Sequence, residues 1–313
     1  MRISDYVLDS IGFICETSIR EVSGPKGDAC ATGFFVSVKS AIKGHRYLYF
    51  ATAKHVAQDL RDRDIHILIN KREGGTGELL ACDRPTWYTH PSDDTCDVVV
   101  VPVIPNLDAV FNSVPMEHML TPDEIKELSI GIGDEVYSVG LFAEVANTSR
   151  NIPILRHGNI SMMPAEQLQT ELGFADVYLV EARSIGGMSG SPVFVRPTGH
   201  LPFGLRPDGT QETIMGLVDR TKLLGIIHGH WDVKETDINS YSIIQDRKRG
   251  VNYGIAIVVP AIKLIETLNR PELLERRMKL DETLNKKGVP GMDSARTKND
   301  EADQTFTQED FER

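Results

Sequence analysis

The segment IGGMSGSPVF, residues 185 to 194, decides how the rest of the chain is interpreted. Ser189 stands between Gly187 and Gly190 and is followed by Pro192 at the start of an apolar run. Glycine two residues before the serine allows a backbone turn without a steric penalty. The backbone N–H groups of Gly187 and Ser189 can then converge on one point and stabilise a developing oxyanion. The segment favours a nucleophilic serine over the alternative, a glycine-rich hairpin.

A candidate general base follows the apolar run in LYFATAKHVAQDL, residues 48 to 60. His55 stands where a strand would pass into a short helical turn. A general base needs a rigid element that holds it within hydrogen-bond reach of its proton donor. One histidine among nine is more often structural, but this position sets His55 apart from the other eight.

A candidate partner for that histidine lies in THPSDDTCDVVVVPV, residues 89 to 103, where Asp97 opens a buried strand. A carboxylate at such an edge is costly unless it is paired, and an imidazole N–H is a suitable partner whose tautomer it fixes. Asp93 and Asp94 compete for this role. They stand in a polar turn, where acidic residues are expected anyway, so Asp97 is favoured.

Short apolar runs separated by turn residues predict an all-β protein up to residue 260. The first group of candidate strands comprises Ile11 to Glu16, Ala31 to Val38, Tyr47 to Thr52, Ile65 to Asn70, Glu78 to Cys82 and Val98 to Ile104. After a segment with helical character at Pro122 to Leu128, the second group comprises Glu135 to Gly140, Ile154 to Met162, Val177 to Ala182, Pro192 to Val195, Thr213 to Val218, Leu223 to His228 and Gly254 to Val259. Two such groups suggest two six-stranded antiparallel β-barrels.

The chain divides accordingly into four predicted parts. An N-terminal barrel covers residues 8–118 and carries the histidine and the aspartate, and a C-terminal barrel covers 119–260 and carries the serine. A helical extension covers 261–287, because Ile262, Ile265 and Leu268 share one face at helical spacing. The first helix of this extension is expected to pack on the second barrel. The acidic tail, 288–313, has almost no aliphatic residues and is predicted to be disordered.

Composition excludes several classes of function. The net charge of -11, from 45 acidic and 34 basic residues, argues against nucleic acid as a partner. The N-terminus lacks the apolar core of a signal peptide, and no stretch approaches the ~20 apolar residues of a membrane span. Four widely spaced cysteines are interpreted as reduced thiols, with one disulfide or a metal site as alternatives. These features favour a cytoplasmic protein without a membrane partner.

Together the segments TAKHV, DVVVV and GMSGSP occur in the order His, Asp, Ser, and the chain resembles the chymotrypsin family of serine peptidases. Further segments are similar to its bacterial trypsin-like and HtrA-like branch, in the right order: ATGFFV at 31–36, GDEVYSVG at 133–140, HGNIS at 157–161, LLGIIHG at 223–229 and YGIAIVVP at 253–260. The resemblance implies a chymotrypsin-like fold and a triad of His55, Asp97 and Ser189. It implies no metal and no cofactor.

The chain departs from this family in informative ways. Extracellular members carry cysteines beside the histidine and an aspartate just before the serine that receives the cleaved N-terminus, whereas Met188 stands at that position here. Activation by such cleavage is not expected. HtrA-like proteins usually append a peptide-binding PDZ domain, and too few residues follow the predicted barrels for one.

The resemblance places the specificity pocket at four residues. Its base would lie near Arg183, and one wall would be formed by His228, Gly229 and His230. No acid is present to pair with a substrate cation, so a preference for Lys or Arg is not expected. Family members that accept acidic or amide side chains often have a histidine here, which makes His228 a candidate. The alternatives are ordinary strand-end histidines or an HxH zinc pair without an evident third ligand.

Three functions remain open from the sequence. The favoured one is a serine endopeptidase that cleaves polypeptides through the triad, with Gly187 and Ser189 as the oxyanion hole. The second is a catalytically inactive module that binds a partner peptide in the same cleft. The third is an enzyme for small esters.

Overall fold

The computed structural model describes residues 5–16, 29–60, 65–71, 78–82, 86–104, 109–110, 112–142, 151–170, 172–182, 187–196, 201–205, 211–214, 221–234 and 250–286. Most of this structure is β-strand. The described helices are short except at the C-terminal end: α1 (Asp5–Leu8), α2 (Lys54–Asp59), α3 (Pro122–Glu127), α4 (Ala261–Leu268), α5 (Pro271–Lys286) and a 3-10 turn at Met116–His118.

The first half of the chain forms a nine-stranded sheet. Seven strands follow one another across it in the order β5-β4-β1-β2-β3-β7-β6, while β8 pairs with β4 and β9 pairs with β2. Their bounds are β1 Ile11–Glu16, β2 Ala29–Lys39, β3 Arg46–Thr52, β4 Ile65–Lys71, β5 Glu78–Cys82, β6 Tyr88–Thr89, β7 Val99–Pro102, β8 Ala109–Val110 and β9 Val114–Pro115.

Side-chain burial explains why these strands form. In β4, Ile65, Ile67 and Ile69 are buried while the residues between them are partly exposed, which is the alternation of a strand with one covered face. β2 is buried on both faces, and Phe34 and Phe35 are completely inaccessible. The Phe35 ring packs edge-on against Phe50 of β3, with ring centroids 5.2 Å apart.

The second half forms a closed barrel in the order β10-β11-β14-β19-β18-β15, with antiparallel neighbours. Its strands are β10 Glu135–Gly140, β11 Ile154–Met162, β14 Tyr178–Glu181, β15 Pro192–Arg196, β18 Lys222–Lys234 and β19 Gly250–Pro260. Val136, Val180, Val193, Ile227 and Val258 belong to one buried cluster contributed by five of these strands. Closure leaves a barrel without free edges.

Two hairpins accompany the barrel. One pairs β12 (Leu168–Thr170) with β13 (Gly173–Ala175), and the other pairs β16 (Leu201–Leu205) with β17 (Gln211–Ile214). Of the fifth candidate strand of the second group, predicted at Thr213 to Val218, the first two residues belong to β17, and 215–218 lie outside the described residues.

A shared core joins the two sheets. One buried cluster contains Phe34 of β2 and Tyr49 of β3 together with Phe194 of β15 and Ile226 of β18. Tyr137 of β10 stacks on Phe194, with ring centroids 5.4 Å apart. The two sheets therefore pack directly on one another.

The C-terminal helices contact both sheets. Leu264 and Leu268 of α4 are buried in the shared core. From α5, Arg277 is 6% exposed and donates hydrogen bonds to the Tyr49 hydroxyl (3.1 Å) and to the Leu268 backbone oxygen (2.7 Å). The expected packing on the second barrel concerned the first of these helices alone, and α5 lies against β3 of the first sheet.

The predicted two-barrel architecture is confirmed for the all-β character, the second barrel and the C-terminal helix. Among the described strands, the first group forms a nine-stranded sheet, and a second closed six-stranded barrel is not seen. The added strands β6, β8 and β9 have two residues each, too few for an alternating pattern to reveal them. The boundaries 8–118, 119–260 and 261–287 stay predictions, and the predicted disordered tail at 288–313 lies outside the described residues.

No helix within the described ranges is both long enough and apolar enough to cross a membrane.

Candidate active site

His55 is held where β3 passes into α2. The strand ends at Thr52, Ala53 is the extended residue before the helix, and His55 stands in the first turn. Its backbone N–H donates to Asp97 Oδ1 at 2.8 Å, and its Nδ1 donates to Asp97 Oδ2 at 2.8 Å. Since the backbone and the ring are both anchored to one carboxylate, the imidazole has a fixed orientation. The side chain is 29% exposed, so its other face remains accessible.

Asp97 is almost completely buried, with 2% of its side chain exposed, two residues before β7. Burial alone would raise the pKa of Asp97, but the hydrogen bonds and charges of His228 and His55 outweigh it and hold the pKa below its ordinary value. The group is therefore a carboxylate at neutral pH. A carboxylate can only accept hydrogen bonds, which fixes the proton of His55 on Nδ1 and leaves Nε2 with a lone pair.

The two competing aspartates have other contacts. Asp93 accepts from the side chains of Lys263 (2.8 Å) and Thr95 (2.7 Å). Burial acts to raise its pKa, but the hydrogen bonds from Lys263 and Thr95 prevail and lower it to about 2. Asp94 contributes its backbone oxygen to Lys54 Nζ at 2.6 Å. The carboxylate that meets His55 is that of Asp97.

His228 contributes a contact that the sequence analysis did not foresee. Its Nδ1 lies 2.5 Å from Asp97 Oδ2, the same oxygen that receives His55, and the two imidazole rings meet edge to face with centroids 5.5 Å apart. The residue is 7% exposed. Its imidazole is thus directed at Asp97, and its predicted role in reading a substrate side chain stays a prediction. The HGH spacing gave no signal for this contact, which joins residues far apart in the sequence.

Ser189 stands in a tight turn at the mouth of β15. The Ser191 N–H donates to the Met188 oxygen at 3.0 Å, and the Gly190 N–H donates to the Ile227 oxygen at 2.9 Å. The Ser189 hydroxyl donates to the backbone oxygen of His228 at 3.3 Å. The turn therefore places the hydroxyl beside the strand that carries the Asp97 partner.

The glycines of this turn are required by its geometry. Gly187 and Gly190 have φ angles of 93° and 83°, in the region that side chains disfavour. A Cβ at Gly190 would also lie 2.2 Å from the Thr32 backbone oxygen and 2.3 Å from Thr52 Oγ1. The expectation that glycine two residues before Ser189 permits the turn agrees with this geometry, and Gly190 is a second glycine that the turn requires.

The predicted specificity residues are described unequally. Arg183 lies outside the described residues. Gly229 is half-buried, and the backbone of His230 pairs with Ala256 in the barrel, while the His230 side chain lies outside the described part. Their predicted contacts with a substrate stay predictions.

His55, Asp97 and His228 are also the group whose side-chain chemistry suits a metal ion, with one ligand atom from each lying within 4.8 Å of the others. The Nδ1 to Oδ2 separations of 2.8 and 2.5 Å are hydrogen-bond distances. Two ligands of one tetrahedral zinc lie about 3.3 Å apart, given bonds of about 2.0 Å. As it stands the arrangement is a hydrogen-bonded one around a central carboxylate.

Comparison with known proteins gives matches at the level of structure. No model of a protein family matches the chain, and no curated protein matches it. The apo protease domain of MamO from Magnetospirillum magneticum matches with a TM-score of 0.49 and 13% identity, covering 84% of this chain and 98% of that one. The HtrA-type protease AlgW, solved with a decapeptide, matches with a TM-score of 0.42 and 16% identity, covering 77% and 51%. An inactive mutant of Rv3671c from M. tuberculosis H37Rv matches with a TM-score of 0.42 and 14% identity, covering 85% and 90%. Two of these three solved structures are described as a protease or a protease domain.

Proposed function

We propose that the protein is a serine endopeptidase in which Ser189 is the nucleophile, His55 the general base and Asp97 the residue that orients the base. The observation that carries the proposal is the double anchoring of His55 on a buried carboxylate, through its backbone N–H and its Nδ1. A base that must present Nε2 in one direction needs its ring fixed, and the two bonds to Asp97 provide this.

In the proposed reaction, Ser189 Oγ attacks the carbonyl carbon of a peptide bond and its proton passes to His55 Nε2. The imidazolium that forms is stabilised by Asp97, and the tetrahedral oxyanion is bound by the N–H groups of Gly187 and Ser189. His55 then gives the proton to the leaving amine, and the C–N bond breaks. Water hydrolyses the acyl-enzyme by the same route and restores the serine.

The alternative, a module that holds a peptide without cleaving it, is favoured by one observation. The Ser189 hydroxyl donates to the His228 backbone oxygen, so its proton is directed at a group that cannot act as a general base. At 3.3 Å this bond is longer than the 2.7–2.8 Å that is usual between hydroxyl donors and oxygen acceptors. Rotation about Cβ–Oγ releases the proton from it, so the bond favours this alternative only weakly.

Labelling with an alkyl fluorophosphonate tests the proposal, since the reagent reacts only with an activated serine. We expect an adduct on Ser189, located by mass spectrometry of a tryptic digest, and no adduct in Ser189→Ala or His55→Ala. Ser161→Ala, which alters an exposed serine of β11, is the control and should label like the unchanged protein. A folded protein that remains unlabelled between pH 7 and 9 would establish the binding module instead.

We also propose a polypeptide substrate and a reducing, cytoplasmic environment. The excess of acidic residues disfavours polyanionic partners. Among the described residues, Cys96 is a buried free thiol, which supports a reducing environment. Proteolysis of fluorescently labelled casein, compared with hydrolysis of a small nitrophenyl ester, separates an endopeptidase from an esterase, because only the first cleaves the casein.

A further inference from the structure

Thr32 of β2 is a completely buried polar residue at the junction of the two sheets. Its hydroxyl donates to the Gly187 backbone oxygen at 2.7 Å and accepts from the Leu141 N–H at 2.8 Å. Its own N–H donates to the Ser189 backbone oxygen at 3.2 Å. One residue of the first sheet therefore holds both ends of the segment 187–189 and the end of β10.

These bonds act on a segment that glycine makes easy to rearrange. Gly187 has no side chain to restrict rotation of its neighbouring peptides, and its φ of 93° is one of several that glycine can adopt. The hydroxyl of Thr32 holds the carbonyl of this residue in one direction. The backbone N–H of Leu141 donates to the same hydroxyl. The Leu141 side chain lies beside the position that a side chain at Gly187 would take, since a Cβ there would be 3.3 Å from its Cδ2.

The orientation of the Ser189 amide follows from the same turn. The Met188 carbonyl accepts from the Ser191 N–H at 3.0 Å, and the C=O and N–H of a trans peptide point in opposite directions. The Ser189 N–H is thus directed away from the interior of the turn. The carbonyls of residues 187 and 189 are bound by Thr32 and that of residue 188 by Ser191, so all three carbonyl positions are determined.

We propose that Thr32 is a positioning residue for the oxyanion hole, acting through its hydroxyl on the peptide that joins Gly187 to Met188, which lies between the two donor N–H groups. The inference rests on the proposed function, since it assigns the residue that keeps the donors of Gly187 and Ser189 aimed at the oxyanion. Preorganised donors stabilise the transition state more than the bound substrate. Loss of the hydroxyl therefore slows the chemical step and leaves binding almost unchanged.

The test compares Thr32→Val, which keeps the shape and removes the hydroxyl, with Thr32→Ser, which keeps the hydroxyl. Thr267→Val is the matched control. Thr267 is equally buried, and its hydroxyl donates to the backbone oxygen of Lys263 within α4 at 2.7 Å. For each protein the rate of fluorophosphonate labelling is measured against reagent concentration. This gives a maximal rate, which reports the chemical step, and a half-saturating concentration, which reports binding.

We expect Thr32→Val to lower the maximal labelling rate by about 10- to 100-fold, somewhat below the effect of deleting an oxyanion donor, while the half-saturating concentration changes less than about twofold. Thr32→Ser should restore most of the rate, and Thr267→Val should retain it. A merely structural role would lower the melting temperature of both valine variants without this selective loss. Should Thr32→Val not fold, Thr32→Cys replaces it, because the thiol is a poor donor of similar size.

The outcomes separate the two proposals. If the unchanged protein is labelled at Ser189 and Thr32→Val retains its maximal rate, the role of Thr32 is refuted while the peptidase stands. A rise of about 10- to 100-fold in the half-saturating concentration of Thr32→Val, with an unchanged maximal rate, refutes the positioning role as well. If the unchanged, folded protein is not labelled at all, the peptidase proposal fails, and the positioning role fails with it.

Discussion

Lys263 of α4 forms an ion pair of 2.8 Å with Asp93, four residues before the carboxylate that orients His55. The same loop is held by a second contact from α4, in which Glu266 meets His90 at 2.8 Å. The helix therefore holds the segment that carries Asp97. The C-terminal extension supports the proposed catalytic residues as well as the core.

Replacing Lys263 with Met should lower the free energy of unfolding by about 1 kcal/mol at pH 7, the range of a partly exposed ion pair. The pKa of Asp93 in the folded protein is about 2, below the 3.8 of the free side chain. A lowered pKa stabilises the fold above the unfolded value and ceases to do so as the pH falls through the folded one. The difference between the two proteins should therefore be full above about pH 5 and shrink between pH 4 and 2.

Urea unfolding at several pH values measures this difference. Lys279→Met is the matched control, since Lys279 forms an exposed pair with Glu275 on α5 and should change stability little at any pH. An effect of Lys263→Met that stays constant down to pH 2 would show that the lost contribution is packing of the lysine stem and not its charge.

The sequence predicted the parts of the site that lie within short continuous segments. TAKHV, DVVVV and GMSGSP each combine a reactive residue with the strand or turn that positions it, and the structure brings His55 and Asp97 into contact. Contacts that join distant segments gave no such signal. The Nδ1 of His228 reaches Asp97 across 131 positions, and the Thr32 hydroxyl reaches Gly187 across 155. Such contacts depend on how the two sheets pack, which no local pattern encodes.

His228→Leu should reduce the rate of fluorophosphonate labelling by about tenfold or more, though by less than the about 10⁴-fold that follows loss of the triad aspartate. The hydrogen bond from His228 is the largest contribution that lowers the pKa of Asp97 against burial. Without it, that pKa should rise, and the labelling rate should begin to fall at a higher pH when the protein is acidified. His157→Leu, which changes an exposed histidine of β11, serves as the control.

A pH profile of labelling from pH 4 to 9 for the three proteins decides this prediction. A profile for His228→Leu that overlays that of the unchanged protein would mean that His55 alone keeps Asp97 ionised, and that His228 is available for the substrate contact predicted from the sequence.

Cys96 should not react with iodoacetamide at pH 8 in the folded protein. Burial raises the pKa of its thiol to about 12, and the nearby charge of Asp93 adds to the increase. The thiolate is the reactive form, so almost none is present at pH 8. Mass spectrometry after alkylation, with and without urea, measures the modification. Labelling of Cys96 without denaturant would contradict the buried, protonated state of its thiol, and a melting temperature that falls on addition of a reducing agent would contradict the prediction of reduced cysteines.

The last prediction concerns substrate preference: cleavage after Lys or Arg should be disfavoured. The predicted pocket contains Arg183 and His230 and no acidic residue, and the imidazole of His228 is already bound to Asp97 at 2.5 Å. A substrate cation in such a pocket loses its hydration without an ion pair, and the charge of Arg183 adds repulsion. Acidic, amide or small apolar side chains should be preferred, as measured by mass spectrometry of a cleaved peptide library.

Arg183→Asp should shift cleavage toward Lys and Arg, whereas Arg276→Asp, which makes the same change of charge at an exposed position of α5, should leave the profile unchanged. Dominant cleavage after Lys or Arg by the unchanged protein would refute the assignment of the pocket to Arg183 and leave the triad intact, because the chemistry at Ser189 does not depend on which side chain fills the pocket.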